Sequence, residues 1–118
     1  MQILSFKELI VWQKSMVLAK LVYKITRKLP AEERYGLASQ MQRCAVSIPS
    51  NIAEGNKRTT VKDYTQFLRT ASGSAAELET QLLLVKDVYS IDISKELGLL
   101  EEVQKMLQVL KSRLQPIT

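Results

Sequence analysis

From Val61 to Tyr89, apolar residues recur three and four positions apart, at Val61, Tyr64, Leu68, Ala71, Ala75, Leu78, Leu82, Val85 and Tyr89. Spacing of this kind gathers them into one stripe along an α-helix, and a stripe this long must be covered by other helices. A strand would need alternation at period two, which no segment of the chain shows. In the middle of the stripe, Ala71-Ser72-Gly73-Ser74-Ala75-Ala76 has almost no side-chain bulk. Gly73 costs about 1 kcal/mol in a helix interior. The composition therefore predicts close approach of a neighbouring backbone there, near Trp12 or Tyr23.

Three further helices follow from their ends and stripes. Ser5-Phe6-Lys7-Glu8 reads as a capping box, with Leu4 and Leu9 spaced for a hydrophobic staple. The pattern then predicts a helix to Leu29, stopped by Pro30. Val11, Ser15, Leu18, Val22, Ile25 and Leu29 make its first stripe, and Trp12, Met16, Ala19, Tyr23 and Thr26 a second beside it. Ile10, Val17 and Leu21 intrude on the remaining side, which predicts a second packing partner for this helix. The next helix is expected over 33–54, with Gly36 in an irregular first turn and Gly55 as C-terminal cap. Thr60-Val61-Lys62-Asp63 caps the third helix. Leu97, Leu100, Val103, Leu107, Leu110 and Leu114 drive a fourth.

Short connections favour antiparallel neighbours. The expected fold is all-α, one domain over residues 1–118, an antiparallel up-down-up-down four-helix bundle with the second helix kinked at Pro49. Pro49 interrupts an otherwise regular stripe of Leu37, Met41, Cys44 or Ala45, Ile48 and Ile52, where a proline removes a backbone hydrogen bond. Beside that stripe Gln40, Arg43, Ser47, Asn51 and Glu54 fall on a polar face about 80° wide. This polar seam is a candidate oligomer or packing surface.

The chain has no histidine and one cysteine, Cys44. Serine and cysteine triads, Glu-x-x-His di-iron sites and His-ligated zinc are thereby excluded within it. Glu54, Glu77 and Glu79 have no nucleophile, phosphate loop or oriented base beside them, so no catalytic residue, metal site or cofactor is expected. The single cysteine fits a small core residue in a reducing compartment. No apolar run approaches the roughly 20 residues of a membrane span, and the start lacks a signal-peptide pattern. These features predict a cytoplasmic, non-enzymatic protein with no membrane partner.

Charge is unevenly placed. The net charge is +5, and residues 1–30 alone hold six basic residues against one acidic. Lys20, Lys24, Arg27 and Lys28 on the first helix, with Arg43, Lys57 and Arg58 around the second, are the candidate contacts to RNA or DNA phosphates. A solvated lysine-rich face explains the same charge without a ligand. No exposed aromatics for base stacking are evident, so binding would be electrostatic and non-specific.

Tyr35-Gly-Leu-Ala-Ser-Gln-Met-Gln-Arg-Cys-Ala-Val-Ser-Ile-Pro-Ser-Asn-Ile-Ala-Glu-Gly55 closely resembles the four-helix bundle family named for 23S rRNA intervening sequences. Phe6-x-x-Leu9-x-Val11-Trp12-Gln13-Lys14, Phe67-Leu68, Gly73-Ser74 and Glu77-Leu78-Glu79-Thr80 extend the resemblance along the chain. Many members carry two basic residues at positions 42 and 43, whereas here Gln42 precedes Arg43. The resemblance implies an all-helical homo-oligomer, with a pentamer favoured. It also implies a distant relationship to the accessory variability determinant of diversity-generating retroelements, a basic pentamer that engages nucleic acid and a reverse transcriptase. Two functions compete: a homo-oligomeric scaffold that binds RNA or DNA through its basic face, and a protein-interaction module with no nucleic-acid role.

Overall fold

Ser5 starts a single turn rather than the first long helix. Its Oγ accepts the Lys7 N–H at 3.2 Å and its carbonyl accepts the Glu8 N–H at 3.0 Å, closing a 3-10 turn over Phe6–Glu8. A capping box needs the serine side chain to reach the residue three positions on; here it reaches only two. The chain re-extends at Leu9, and α1 runs over Ile10–Thr26. The structure, a computed structural model, describes residues 5–114, so Leu4 of the expected staple lies outside the described residues. Beyond Thr26 the chain tightens into i→i−3 turns up to Leu29 before Pro30.

The second helix, α2, spans Leu37–Asn56. It starts later than its stripe implies because Pro30 is followed by a 3-10 turn over Ala31–Glu33 and Gly36 is non-helical. The Glu33 carboxylate accepts the Leu37 N–H at 3.3 Å and so serves one of the donors left open at the helix start. At the other end Gly55 is helical rather than a left-handed cap, and no described glycine has positive φ. It is buried against Tyr64 and Phe67, so the absence of a side chain serves helix approach instead of termination.

The third helix, α3, spans Val61–Tyr89, with the Thr60 hydroxyl accepting the Asp63 N–H at 3.1 Å as its cap. It ends at Ser90, whose φ of 56° is the left-handed conformation that breaks the helix. The fourth, α4, spans Ser94–Leu114. Asp92 accepts both the Ser94 N–H at 3.0 Å and its hydroxyl at 2.7 Å, which holds the carboxyl below the usual carboxylate range, with help from the charges of Lys28 and Lys86.

Helix α1 packs on α2 and α4, and α3 packs on α2 and α4; the α2–α3 interface is the most extensive. One apolar core joins all four, including Leu18 and Val22 of α1, Ile48 and Ile52 of α2, Leu78 and Leu82 of α3, and Leu100 and Leu107 of α4. Each such side chain stabilises the fold by about 1.5–3 kcal/mol when removed from water. Among the described residues there is no strand. The α3 stripe is buried from Leu68 to Val85, whereas Val61 is 47% exposed. Gly73 corrects the sequence expectation: nothing lies within 4 Å of where its Cβ would stand, and the residue is exposed. The neighbouring Ala71 and Ala75 take the inward positions, and Gly73 faces out between them. Ile10 and Val17 stay about half exposed.

Candidate nucleic-acid interface

The second α1 stripe faces a row of small side chains. Trp12, Met16, Ala19 and Tyr23 lie opposite Val46, Pro49, Ser50 and Ala53 of α2, none of which is long enough to fill the space between the helices. The result is an apolar groove of about 620 Å³. Phe6 stands at one end, its ring edge-on to Trp12 with centroids 5.3 Å apart at 67°. Lys57 Nζ lies 5.9 Å from the centre of that Phe6 ring. The 3-10 turn at Phe6–Glu8 therefore has a role: it folds an aromatic ring back onto the start of α1.

Lys20, Lys24 and Arg27 also line this groove. They follow one another at i, i+4 and i+7 and so share a face over about 10 Å of helix. Like charges at i,i+4 repel by a few tenths of a kcal/mol. No ion pair with a described residue relieves them; the ion pairs among the described residues are Lys14–Glu102 at 2.7 Å and Arg58–Glu54 at 3.2 Å. An uncompensated cationic rim beside an apolar floor attracts an anion that also carries flat apolar surface.

The remaining candidates divide. Arg43 is exposed in a shallow depression with Tyr23, Val46 and Ser47, continuous with the groove through Tyr23 and Val46. Lys57 joins at the Phe6 end. Lys28 and Arg58 do not line the groove. The charge of Lys28 acts on Asp92, and Arg58 is held by Glu54 while its guanidinium sits 4.6 Å over the Phe67 ring of α3. The structure thus gathers five of the seven cations chosen from sequence; of the other two, Arg58 is paired with Glu54 and Lys28 stands away from the groove.

The polar seam also divides. Ser47 Oγ is 2.8 Å from Ser74 Oγ of α3, and Asn51 Nδ2 donates to the Ser47 carbonyl at 2.8 Å and to its hydroxyl at 3.0 Å. Gln40 and Arg43 instead face an open depression with Cys44, Ser74 and Glu77, while Glu54 is taken up by Arg58. Cys44 is half-buried, not a core residue. Burial pushes its thiol up and the charge of Glu77 adds to this, against a lowering hydrogen bond from Gln81. Glu77 and Glu79 serve different interfaces, Glu77 accepting from Cys44 and Glu79 from Gln104 of α4 at 3.0 Å. Gln42, at the position where the resemblance implies a basic residue, donates to Thr26 Oγ1 at 3.0 Å and ties α2 to the end of α1.

Sequence reasoning missed the aromatic half of this surface. Tyr23 is 42% exposed and Trp12 is half-buried along the groove. Both sit on an apolar stripe that reads as core. The available signal was the run Val46, Pro49, Ser50 and Ala53, whose small volumes cannot cover that stripe.

The model of the family described as 23S rRNA-intervening sequence protein matches residues 7–112. The chain belongs to that family. The match takes in all four helices up to the last turn of α4, and with it the groove except for Phe6, the cationic rim and the Ser47–Ser74 contact. No curated protein matches the chain. Among the described residues no helix is long and apolar enough to cross a membrane.

Proposed function

We propose that this 23S rRNA-intervening sequence family protein is a non-enzymatic, cytoplasmic homo-oligomeric scaffold that binds RNA or DNA non-specifically through the face between α1 and α2. The observation that carries this reading is the rim of Lys20, Lys24 and Arg27, three adjacent cations without an acidic partner among the described residues. A solvated face does not need its charges gathered along one groove. Phosphate contacts alone carry no sequence information, so affinity falls with salt and depends little on sequence.

The bundle is read as up-down-up-down, with α2 bent at Pro49. Support for the order comes from paired contacts whose numbers rise on one helix as they fall on the next. Ser47 meets Ser74 and Gly55 meets Phe67 between α2 and α3, while Glu79 meets Gln104 and Ser72 meets Lys111 between α3 and α4. Support for assembly comes from apolar surface on two diagonal helices. Ile10 and Val17 are exposed on α1, and Leu84 and Val88 on α3, the last at 62%. Two different patches on opposite sides suit head-to-tail closure into a ring, and the family resemblance favours five subunits.

The same exposed α3 residues favour the second reading, a protein-interaction module in which nucleic acid has no part. A filter-binding titration at rising salt separates the two. Retention of RNA or DNA at low ionic strength, lost steeply as salt rises and weakened by Lys20→Glu with Lys24→Glu, is the expected result. No retention even at the lowest salt sinks the nucleic-acid reading and leaves the interaction module. Light scattering tests assembly: a monomer at micromolar concentration removes the ring.

A further inference from the structure

We propose that the α1–α2 groove takes an unpaired base, so that the protein prefers single-stranded nucleic acid to a duplex. The inference rests on the nucleic-acid reading above and adds the part of the ligand that the cations do not recognise. A rim of lysines alone serves any polyanion. What distinguishes this surface is its floor, where Tyr23, Trp12 and Phe6 stand along one groove whose opposite wall is made of small α2 side chains.

The dimensions and the chemistry agree. A groove of about 620 Å³ lies within the range of about 300–1,000 Å³ that holds a small organic ligand. Its floor is apolar and aromatic, which suits the face of a nucleobase, and Lys20, Lys24 and Arg27 stand where the attached phosphates would pass. The rim extends about 10 Å along α1 at 1.5 Å per residue, so neighbouring backbone phosphates of one strand can meet it together. In a duplex the base faces are already stacked on one another and cannot enter a recess between two helices. A duplex can therefore use only the rim, whereas a single strand can use rim and floor together. Every base has a flat apolar face, so the added contact selects strandedness and not sequence.

Trp12 is the sole tryptophan of the chain and lies in the groove, so its fluorescence reports on the floor directly. The full-length protein is titrated at low salt with oligouridylate, with oligodeoxythymidylate, with an abasic strand of equal length and with a duplex of that length. Either base-bearing single strand is expected to quench Trp12 and to bind about tenfold tighter than the abasic strand or the duplex. The tighter binder of the two identifies RNA or DNA as the preferred source. Tyr23→Ala removes an exposed ring and is expected to weaken single-strand binding about tenfold while leaving duplex binding unchanged, and Tyr23→Phe restores it. Equal affinity for all four probes without quenching overturns the inference while the electrostatic reading stands. No binding of any probe overturns both.

Discussion

Gly55 of α2 and Phe67 of α3 approach so closely that a Cβ on the glycine would stand 2.9 Å from the Phe67 Cβ and 3.0 Å from Tyr64 Cδ1. No real Cβ tolerates the first distance, so a side chain at 55 forces the α2 end away from α3. That crossing also sets where Lys57 and Arg58 leave α2, one over Phe6 and the other over Phe67.

Gly55→Ala is therefore expected to destabilise the fold by about 1–3 kcal/mol through overpacking, despite the better helix propensity of alanine. Gly73→Ala is expected to act in the opposite sense. Its site is open, exposed and inside α3, so the propensity gain of about 0.5–1 kcal/mol is realised. Urea denaturation of the two variants beside the native chain measures both signs, and equal effects would show that helix approach at Gly55 is not limiting.

The contact between Ser47 and Ser74 ties the middles of α2 and α3. Ser47→Ala and Ser74→Ala should each cost about 1 kcal/mol, and the double variant less than their sum, because either single change already removes the bond. Ser47→Ala also removes the Asn51 bond to the Ser47 hydroxyl, but that loss recurs in the double variant and cancels, so the cycle isolates the pair of hydroxyls. A coupling of zero would mean that the two hydroxyls are independently solvated.

Tyr89 donates to the Glu33 carboxylate, joining the end of α3 to the turn before α2. That bond, then burial and the charges of Glu33 and Glu32, push the phenol from 10.0 up to about 12. A raised folded value means that the folded state holds the proton more tightly. The contribution to stability is thus full below pH 10 and lost as pH rises from 10.0 towards about 12. Denaturant midpoints across that window should fall, and Tyr89→Phe should flatten the fall. An absorbance titration should show one of the four tyrosines ionising late.

Cys44 should react slowly with a thiol reagent at neutral pH, since burial and the Glu77 carboxylate both disfavour its thiolate. Glu77→Gln removes the nearby negative charge and should speed the reaction at neutral pH more than at high pH, where the thiolate is formed anyway. The same acceleration at both pH values would indicate altered access rather than charge.

How far the chain could be read depended on whether a feature belonged to one helix or to two. Thr60 caps α3 through a bond three residues away, and the Leu68–Val85 stripe is buried as its spacing requires; both are properties of a single helix. Misreadings arose where a second element decides. Ser5 and Glu8 had the residues of a capping box, but the chain re-extends at Leu9 and sets Phe6 on Trp12. Gly55 took the close-approach role expected of Gly73 because the tight α2–α3 contact falls at the helix end, not at the glycine with small neighbours. The seven candidate cations looked alike in sequence, yet Glu54 and the Phe67 ring engage Arg58 while Lys28 acts on Asp92.

By itself the sequence determined four helices, their inward stripes, the family and the concentration of charge on α1. These follow from periodicity, from residue order and from composition, all of which are local. Only the tertiary structure decided that α1 and α2 leave an aromatic-floored groove beneath Lys20, Lys24 and Arg27. The physical reason is volume: whether Trp12 and Tyr23 are core or surface depends on the size of the side chains facing them, and Val46, Pro49, Ser50 and Ala53 are too small to close the gap.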